Sequence, residues 1–380
     1  MLRFGFYVVA ALVIIHGLVH LMGFVAYWPL REVTELPYKT TLLGGRWDIG
    51  LSGMRLFSVV WLVTAVTFIV SAIALMTGKA WWLPLIGTAV LLSLVICVLD
   101  WQNAFRGAIL DLVILVPVLL AWGLHIQPQP FPAYPEPTAE LITVPLPAGL
   151  PAPVARYYRT ITSASLNTSV GEQIPVIETA VITARGTVRF AEITFPARLR
   201  FTHDAGQGYR HYIEATFFGK PLLKVNETYL DGQARMALPV GVIENEPKVD
   251  MAANLGLWGE SAWLPSIYLT DPRVRWQAVD ETTARLIVPF GEEEDSFTVF
   301  FDGETGLIRR MEALRYREAT DTEKILWWFE PLGWAEFQGI LVPSPGTVTW
   351  ADEGMPWLII ELEDVAYNVD IAAYIGAVGP

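Results

Sequence analysis

QPQPFPAYPEPTAELITVPLPAGLPAP, residues 127–153, divides this chain into two sequences of unlike character. Proline lacks an amide donor and has a fixed φ, so a run this dense in it continues neither a helix nor a central strand. The run reads as an extended, semi-rigid spacer with few residues able to build a core. Before it stand 126 residues of almost unbroken apolar sequence; after it the chain to residue 380 alternates apolar and polar positions as strands do. The expected domains are a membrane part at 1–126, the linker at 127–153 and a soluble part at 154–380.

Composition agrees with this division. Hydrophobic residues make up 53% of the chain and charged residues 17%, more apolar than a soluble protein of ordinary composition. Residues 1–126 carry seven Lys/Arg against five Asp/Glu, leaving 19 against 34 for the remainder. That acidic excess argues against a nucleic-acid partner, because phosphate binding relies on clustered positive charge. Cys97 is the one cysteine, so no internal disulfide forms, and it reads as a small buried hydrophobe.

Four apolar segments precede the linker: Phe4–Leu30, Leu56–Gly78, Ala80–Leu99 and Ala108–Ile126, the last interrupted only by Asp111. Each is near the roughly 20 residues that cross a bilayer core. Tyr27, Trp28, Trp81, Trp82, Trp101 and Trp122 sit near segment ends, as interfacial aromatics do. The first segment is too long for a signal-peptide core and reads as retained. Four spans place both termini on one side. With the N-terminus outside, the inner loops carry Arg31, Lys39, Arg46, Arg55 and Arg106, against Arg3 and Lys79 outside. The positive-inside rule therefore favours a multi-pass protein of the cell membrane with an extracytoplasmic soluble domain.

Three polar residues stand out within these spans. His16 and His20 share one helix face, a spacing that suits two ligands or hydrogen bonds across a bundle beside Gly17 and Gly23. Asp111 reads as lying about one turn into the fourth helix, where it is a functional candidate or a partner for Arg106. The four short spans and the IHGLVHLMGF stretch, Ile15–Phe24, resemble DoxX-like membrane proteins. That resemblance implies a link to membrane redox or sulfur metabolism.

Beyond about Leu150 the period becomes two. Leu199 and Phe201, then Ile213, Ala215 and Phe217, then Val225, Glu227 and Tyr229, then Phe297, Val299 and Phe301 alternate with polar neighbours. Asp231-Gly232 and Asp302-Gly303 follow two of these runs and predict two-residue hairpins; GEEED at 291–295 predicts another turn. Eight to ten antiparallel strands result. A helix is expected from an Asp250 N-cap through Trp258 to Pro265, and another over Val154–Ile161. The fold class is thus a membrane α-helical bundle of four transmembrane helices plus a soluble α+β domain dominated by a curved antiparallel sheet with a few helices. Helices that cover such a sheet incompletely leave room for an apolar ligand.

LPAPVARYYRTI at 150–161, YLDGQARM at 229–236, VDMAANLGLWGESAWLP at 249–265 and FFDGETGLIRRMEALRYRE at 300–318 resemble a bacterial domain-of-unknown-function family over residues 150–368. The layout is similar in outline to LolA-like lipoprotein carriers, in which a curved sheet wraps helices around an apolar cavity.

Chemistry is sparse. Glu260 lies between Trp258 and Trp263, a setting that raises a carboxyl pKa. Arg309, Arg310, Arg315 and Arg317 form a basic cluster that suits a ligand anion or cross-strand ion pairs. Trp258, Glu260, Trp263, Arg309 and Arg315 are therefore the candidate ligand-binding residues, and His16, His20 and Asp111 the membrane candidates. His203 and His211, across the DAGQG turn, are placed to face each other in a hairpin, but nothing nearby in sequence completes a metal set. No catalytic residue, metal or cofactor is expected, and no nucleotide, hydrolase or CxxC motif occurs. Asn167 and Asn226 match the glycosylation sequon. The leading functional expectation is a membrane-anchored module whose domain binds a lipid or other apolar molecule. A membrane redox or enzyme component using the histidine pair, and an assembly partner without small ligand, stand beside it.

Overall fold

The computed structural model describes residues 2–136, 141–162 and 173–380, with side chains from residue 7 onward; Asn167 lies outside the described residues. The chain forms two compact units, Met1–His125 and Ile126–Pro380.

The first unit is a bundle of α1 (Leu2–Tyr27), α2 (Gly50–Met76), α3 (Trp82–Leu99) and α4 (Trp101–His125). A small hairpin of β1 (Thr41–Leu42) and β2 (Trp47–Asp48) lies between the first two helices. All four helices are long and apolar enough to cross a membrane. Small residues set the α1–α2 distance, because a Cβ on Gly23 would sit 2.1 Å from the Trp61 indole and one on Gly17 2.9 Å from Phe68. The fourth helix starts seven residues before the apolar segment does. Asp100 ends α3 and its backbone carbonyl accepts from Asn103 and Ala104, so α4 follows with almost no loop. Asp111 is consequently nearly three turns inside α4 and fully buried, deeper than the hydrophobicity boundary implied.

The second unit opens with β3 (Thr143–Pro145), α5 (Ala152–Thr162) and β4 (Gln173–Pro175). A meander follows: β5 (Thr179–Phe190), β6 (Ile193–Asp204), β7 (Gly208–Phe217), β8 (Lys220–Leu230), β9 (Gln233–Leu238) and β10 (Gly241–Glu244). Then come α6 (Pro247–Glu260), α7 (Ile267–Thr270) and a second run of β11 (Arg275–Ala278), β12 (Thr283–Phe290), β13 (Glu293–Phe301), β14 (Ile308–Arg315) and β15 (Ile325–Pro331). The hairpin of β16 (Trp334–Phe337) and β17 (Ile340–Pro343) precedes β18 (Gly346–Trp350), β19 (Pro356–Tyr367) and α8 (Ala372–Ile375). One antiparallel sheet of 13 strands results, in the order β10-β9-β8-β7-β6-β5-β19-β18-β15-β14-β13-β12-β11.

The chain leaves the β10 edge of that sheet and returns at the β11 edge, and α6 makes the crossing. It touches β8 and β9 on one side and β12 and β14 on the other, so the sheet curls around it. Every residue from Ala252 to Gly259 is buried, the signature of a helix enclosed on all sides. Gly259 makes the fit possible, since a Cβ there would lie 3.2 Å from the Trp327 ring. The helix begins at Pro247 after a Glu246 N-cap. Asp250 is not the cap; its carboxylate accepts from the Ala234 amide at 2.7 Å and ties α6 to β9.

Two turns differ in kind. Asp231 and Gly232 both have positive φ, as a two-residue turn of mirror-image type requires. Asp302-Gly303 instead opens a longer loop, in which the Asp302 carboxylate accepts from the amides of Glu304 and Thr305. In the linker, Phe131 is buried on the outer face of the sheet, with the Arg198 guanidinium 4.4 Å from its ring centroid and Tyr212 beside it. Arg200 donates to the Pro132 carbonyl. The proline-rich run therefore contributes to packing at this point, where the aromatic residue between prolines finds two stacked arginines.

Candidate functional site

The β6–β7 hairpin positions the first site. Phe201 pairs with His211 and His203 with Tyr209, so all four side chains project to the concave face, toward α6. The imidazoles are diagonal neighbours with ring centroids 5.9 Å apart. Tyr209 stacks on His211 at 3.9 Å and Phe201 lies against it at 4.1 Å, which fixes that ring between two aromatic planes.

Glu260 arrives from the last residue of α6. Its Oε2 lies 2.6 Å from His211 Nε2 and 3.3 Å from His203 Nε2. The longer approach lacks the angle of a hydrogen bond, and neither ring nitrogen of His203 has a partner although the residue is 1% exposed. A polar group buried in that state costs on the order of 1–3 kcal/mol. On the other side of His211, Glu227 Oε2 is 3.9 Å from Nδ1, and the Tyr209 hydroxyl donates to Glu227 at 2.5 Å. Burial holds His203 and His211 down to about 4, and pushes the Glu260 carboxyl up to about 7. At neutral pH the imidazoles are neutral and Glu260 is poised between its two forms.

The segment carrying Glu260 is held from three directions by tyrosine hydroxyls. Tyr268 donates to the Trp258 carbonyl at 2.6 Å, Tyr367 to that of Trp263 at 2.8 Å and Tyr158 to that of Pro265 at 2.7 Å. Beside Glu260 a slot closed by Trp263, Trp327, Phe329, Val348, Leu358 and Ile360 encloses about 30 Å³. That volume accommodates about one water molecule.

Of the ligand-binding candidates, Glu260, Trp263 and Arg315 gather here. Arg315 stacks over Trp327 at 4.8 Å and is the cation whose charge acts on both Glu260 and His211. Trp258 points away, toward Gly206 in the β6–β7 turn. Arg309 is exposed, and Arg310 and Arg317 pair with Glu312 and Asp352 while stacking on Trp328 and Trp350. These arginines form no common anion site.

The membrane candidates form a second cluster. His16 Nε2 lies 2.8 Å from Asp111 Oδ1, the Ser93 hydroxyl donates to Asp111 Oδ2 at 2.5 Å, and His20 Nε2 lies 2.7 Å from Ser93 Oγ. His20 Nδ1 approaches the His16 carbonyl at 3.0 Å. The chain of contacts crosses α1, α3 and α4 and is buried throughout. Arg106 takes no part in it. Near the end of the bundle Asp100 accepts from Tyr27, Lys39 and Asn103.

A family match covers residues 140–362, more than half the chain. The chain belongs to DUF6544, a family of unknown function. The DUF6544 match begins after the four helices and agrees with the span expected from the sequence to within about ten residues at each end. No curated protein matches the chain. Among solved structures, a DUF1329 family protein from Desulfovibrio piger is 13% identical, with TM-score 0.36, over 59% of this chain and 97% of its own. A LolA superfamily protein from Nitrosomonas europaea is 8% identical, with TM-score 0.34, over 52% and 89% respectively.

What sequence reasoning missed in this DUF6544 domain is the conjunction of Glu260 with His203 and His211. The histidines were noticed as a pair and the glutamate as an isolated acid, 49 residues further on. The remaining signal was the helical run between two strand meanders, whose apolar residues on every side mark an enclosed helix that brings its last residue to the sheet.

Proposed function

We propose that this DUF6544 protein is a membrane-anchored binding module whose extracytoplasmic domain takes an amphipathic, lipid-like ligand into the slot between Trp263 and β15. The ligand's polar end meets Glu260 and His211, and its apolar part lies against Trp327, Phe329 and Ile360. One observation carries the reading: an ionisable pole stands at the end of a slot whose other walls are apolar. The slot encloses about 30 Å³, so taking in a lipid-like ligand requires its walls to separate. The outward placement of the domain rests on the Arg and Lys residues of the loops.

The test is native mass spectrometry of the full-length protein in detergent, with solvent extraction of what remains bound. A stoichiometric lipid, lost in Glu260→Leu, is the expected result. A clean mass, together with no change in Tm across a panel of fatty acids and phospholipids, would overturn the reading.

A second reading, a proton or redox path in the bundle, is favoured by the continuous chain His16–Asp111–Ser93–His20 through three helices.

A further inference from the structure

We propose that His203, His211 and Glu260 bind a divalent transition-metal ion of the Zn²⁺ class, with one coordination position left facing the slot. Two imidazoles and a carboxylate are a donor set for such ions, and three protein ligands with a fourth position free is the arrangement of a reactive rather than a purely structural site.

The geometry points to an ion in three ways and requires one adjustment. The three donor atoms already lie within 4.8 Å of one another. Zinc–ligand bonds of about 2.0–2.1 Å in a tetrahedron place neighbouring donors about 3.3 Å apart, which is the His203–Glu260 separation. His211 and Glu260, now 2.6 Å apart, need to separate by about 0.7 Å to admit the ion between them. His203 has no hydrogen-bond partner for either nitrogen, so a buried ring is aimed into the cluster with nothing to satisfy it. A metal would satisfy it.

The surroundings support a ligand role. His211 has a carboxylate, Glu227, on its other nitrogen side, and Glu227 is itself held by Tyr209, the kind of outer partner that orients ligating histidines. The carboxylates beside the site are Glu260 and Glu227; the cations acting on it are Arg315 and, from the next register position of β7, Arg210.

This site shares Glu260 with the proposed ligand slot, but its readout needs no lipid. Full-length protein in detergent is freed of metal with a chelator and titrated with Zn²⁺ by calorimetry, with Co²⁺ as a spectroscopic substitute. One Zn²⁺ per chain is expected, with a visible Co²⁺ band of low coordination number. His203→Leu should abolish both. It should not lower the Tm of the metal-free protein, because it replaces an unpartnered polar ring by an apolar side chain. Glu227→Gln should weaken affinity about 10–100-fold while leaving stoichiometry at one. Absence of stoichiometric uptake by the wild type, or equal uptake by His203→Leu, would overturn the proposal. Lipid extraction on chelator-treated protein tests the slot separately, so each reading fails by its own measurement.

Discussion

Asp295 shows how one buried carboxylate responds to its surroundings. It is 9% exposed, and its main partner is the Asn254 amide at 3.1 Å, which also joins α6 to β13. Burial raises its pKa above the ordinary aspartate value of 3.8, with the Asn254 hydrogen bond and then Lys324 opposing and Glu293 adding to the shift. A raised acid favours the folded state only while protonated, so that contribution is present below pH 3.8 and is lost as pH climbs through the folded pKa. Asp295→Asn keeps an acceptor for Asn254 and removes the charge. Its expected effect is a gain on the order of 1 kcal/mol at pH 7.5 and none at pH 3.5, read from Tm at the two values. Asp111 differs, because both of its carboxylate oxygens have partners inside the bundle. Asp111→Leu leaves His16 Nε2 without its partner and Ser93 with His20 alone, and should cost about 1–3 kcal/mol in detergent unfolding. A cost below about 1 kcal/mol would mean the network contributes little. The sequence identified His16, His20 and Asp111 as singular because polar groups among apolar neighbours are conspicuous. It did not pair them, since the contact spans 95 residues and no local pattern encodes it.

At the scale of elements, sequence alternation identified the strands β6, β7, β8 and β13; burial alternates with it along β13, whereas β6 and β7 are buried on both faces over most of their length, with Phe131 and Tyr374 lying over the arginines of the outer face. The sheet's full extent was less legible. Short edge strands such as β10 and the β16–β17 hairpin carry too few residues to establish a period. Helical spacing alone did not place α6, since it fits a helix lying on a sheet as well as one threaded through it; the apolar residues on every side were the one sign of enclosure. Gly259 provides the test of that enclosure. Gly259→Leu should cost about 1–3 kcal/mol by overpacking against Trp327, and should displace Glu260 next to it. A wild-type Tm in this variant would show that α6 has free space on that side.

For the whole molecule, the two halves differ in charge as sharply as in hydropathy, and the placement of the acidic half is open to direct measurement. Cys97 is buried in the bundle and is the one thiol, so it gives little background to surface labelling. Val240, 93% exposed between β9 and β10, is a suitable position for a reporter. Val240→Cys should react with a membrane-impermeant maleimide in intact cells; protection until the cells are lysed would place the domain in the cytoplasm.

The sheet order also has a consequence for how the protein is made. Within the sheet, the first meander, β5–β10, and the second, β11–β15 with β18, are joined only through β19, which inserts between β5 and β18. Each of those inner strands lacks one of its two partners in a chain that has not yet made residues 356–367. A nascent chain stalled before residue 356 exposes two sticky edges on one molecule, and quality-control proteases have their clearest target there.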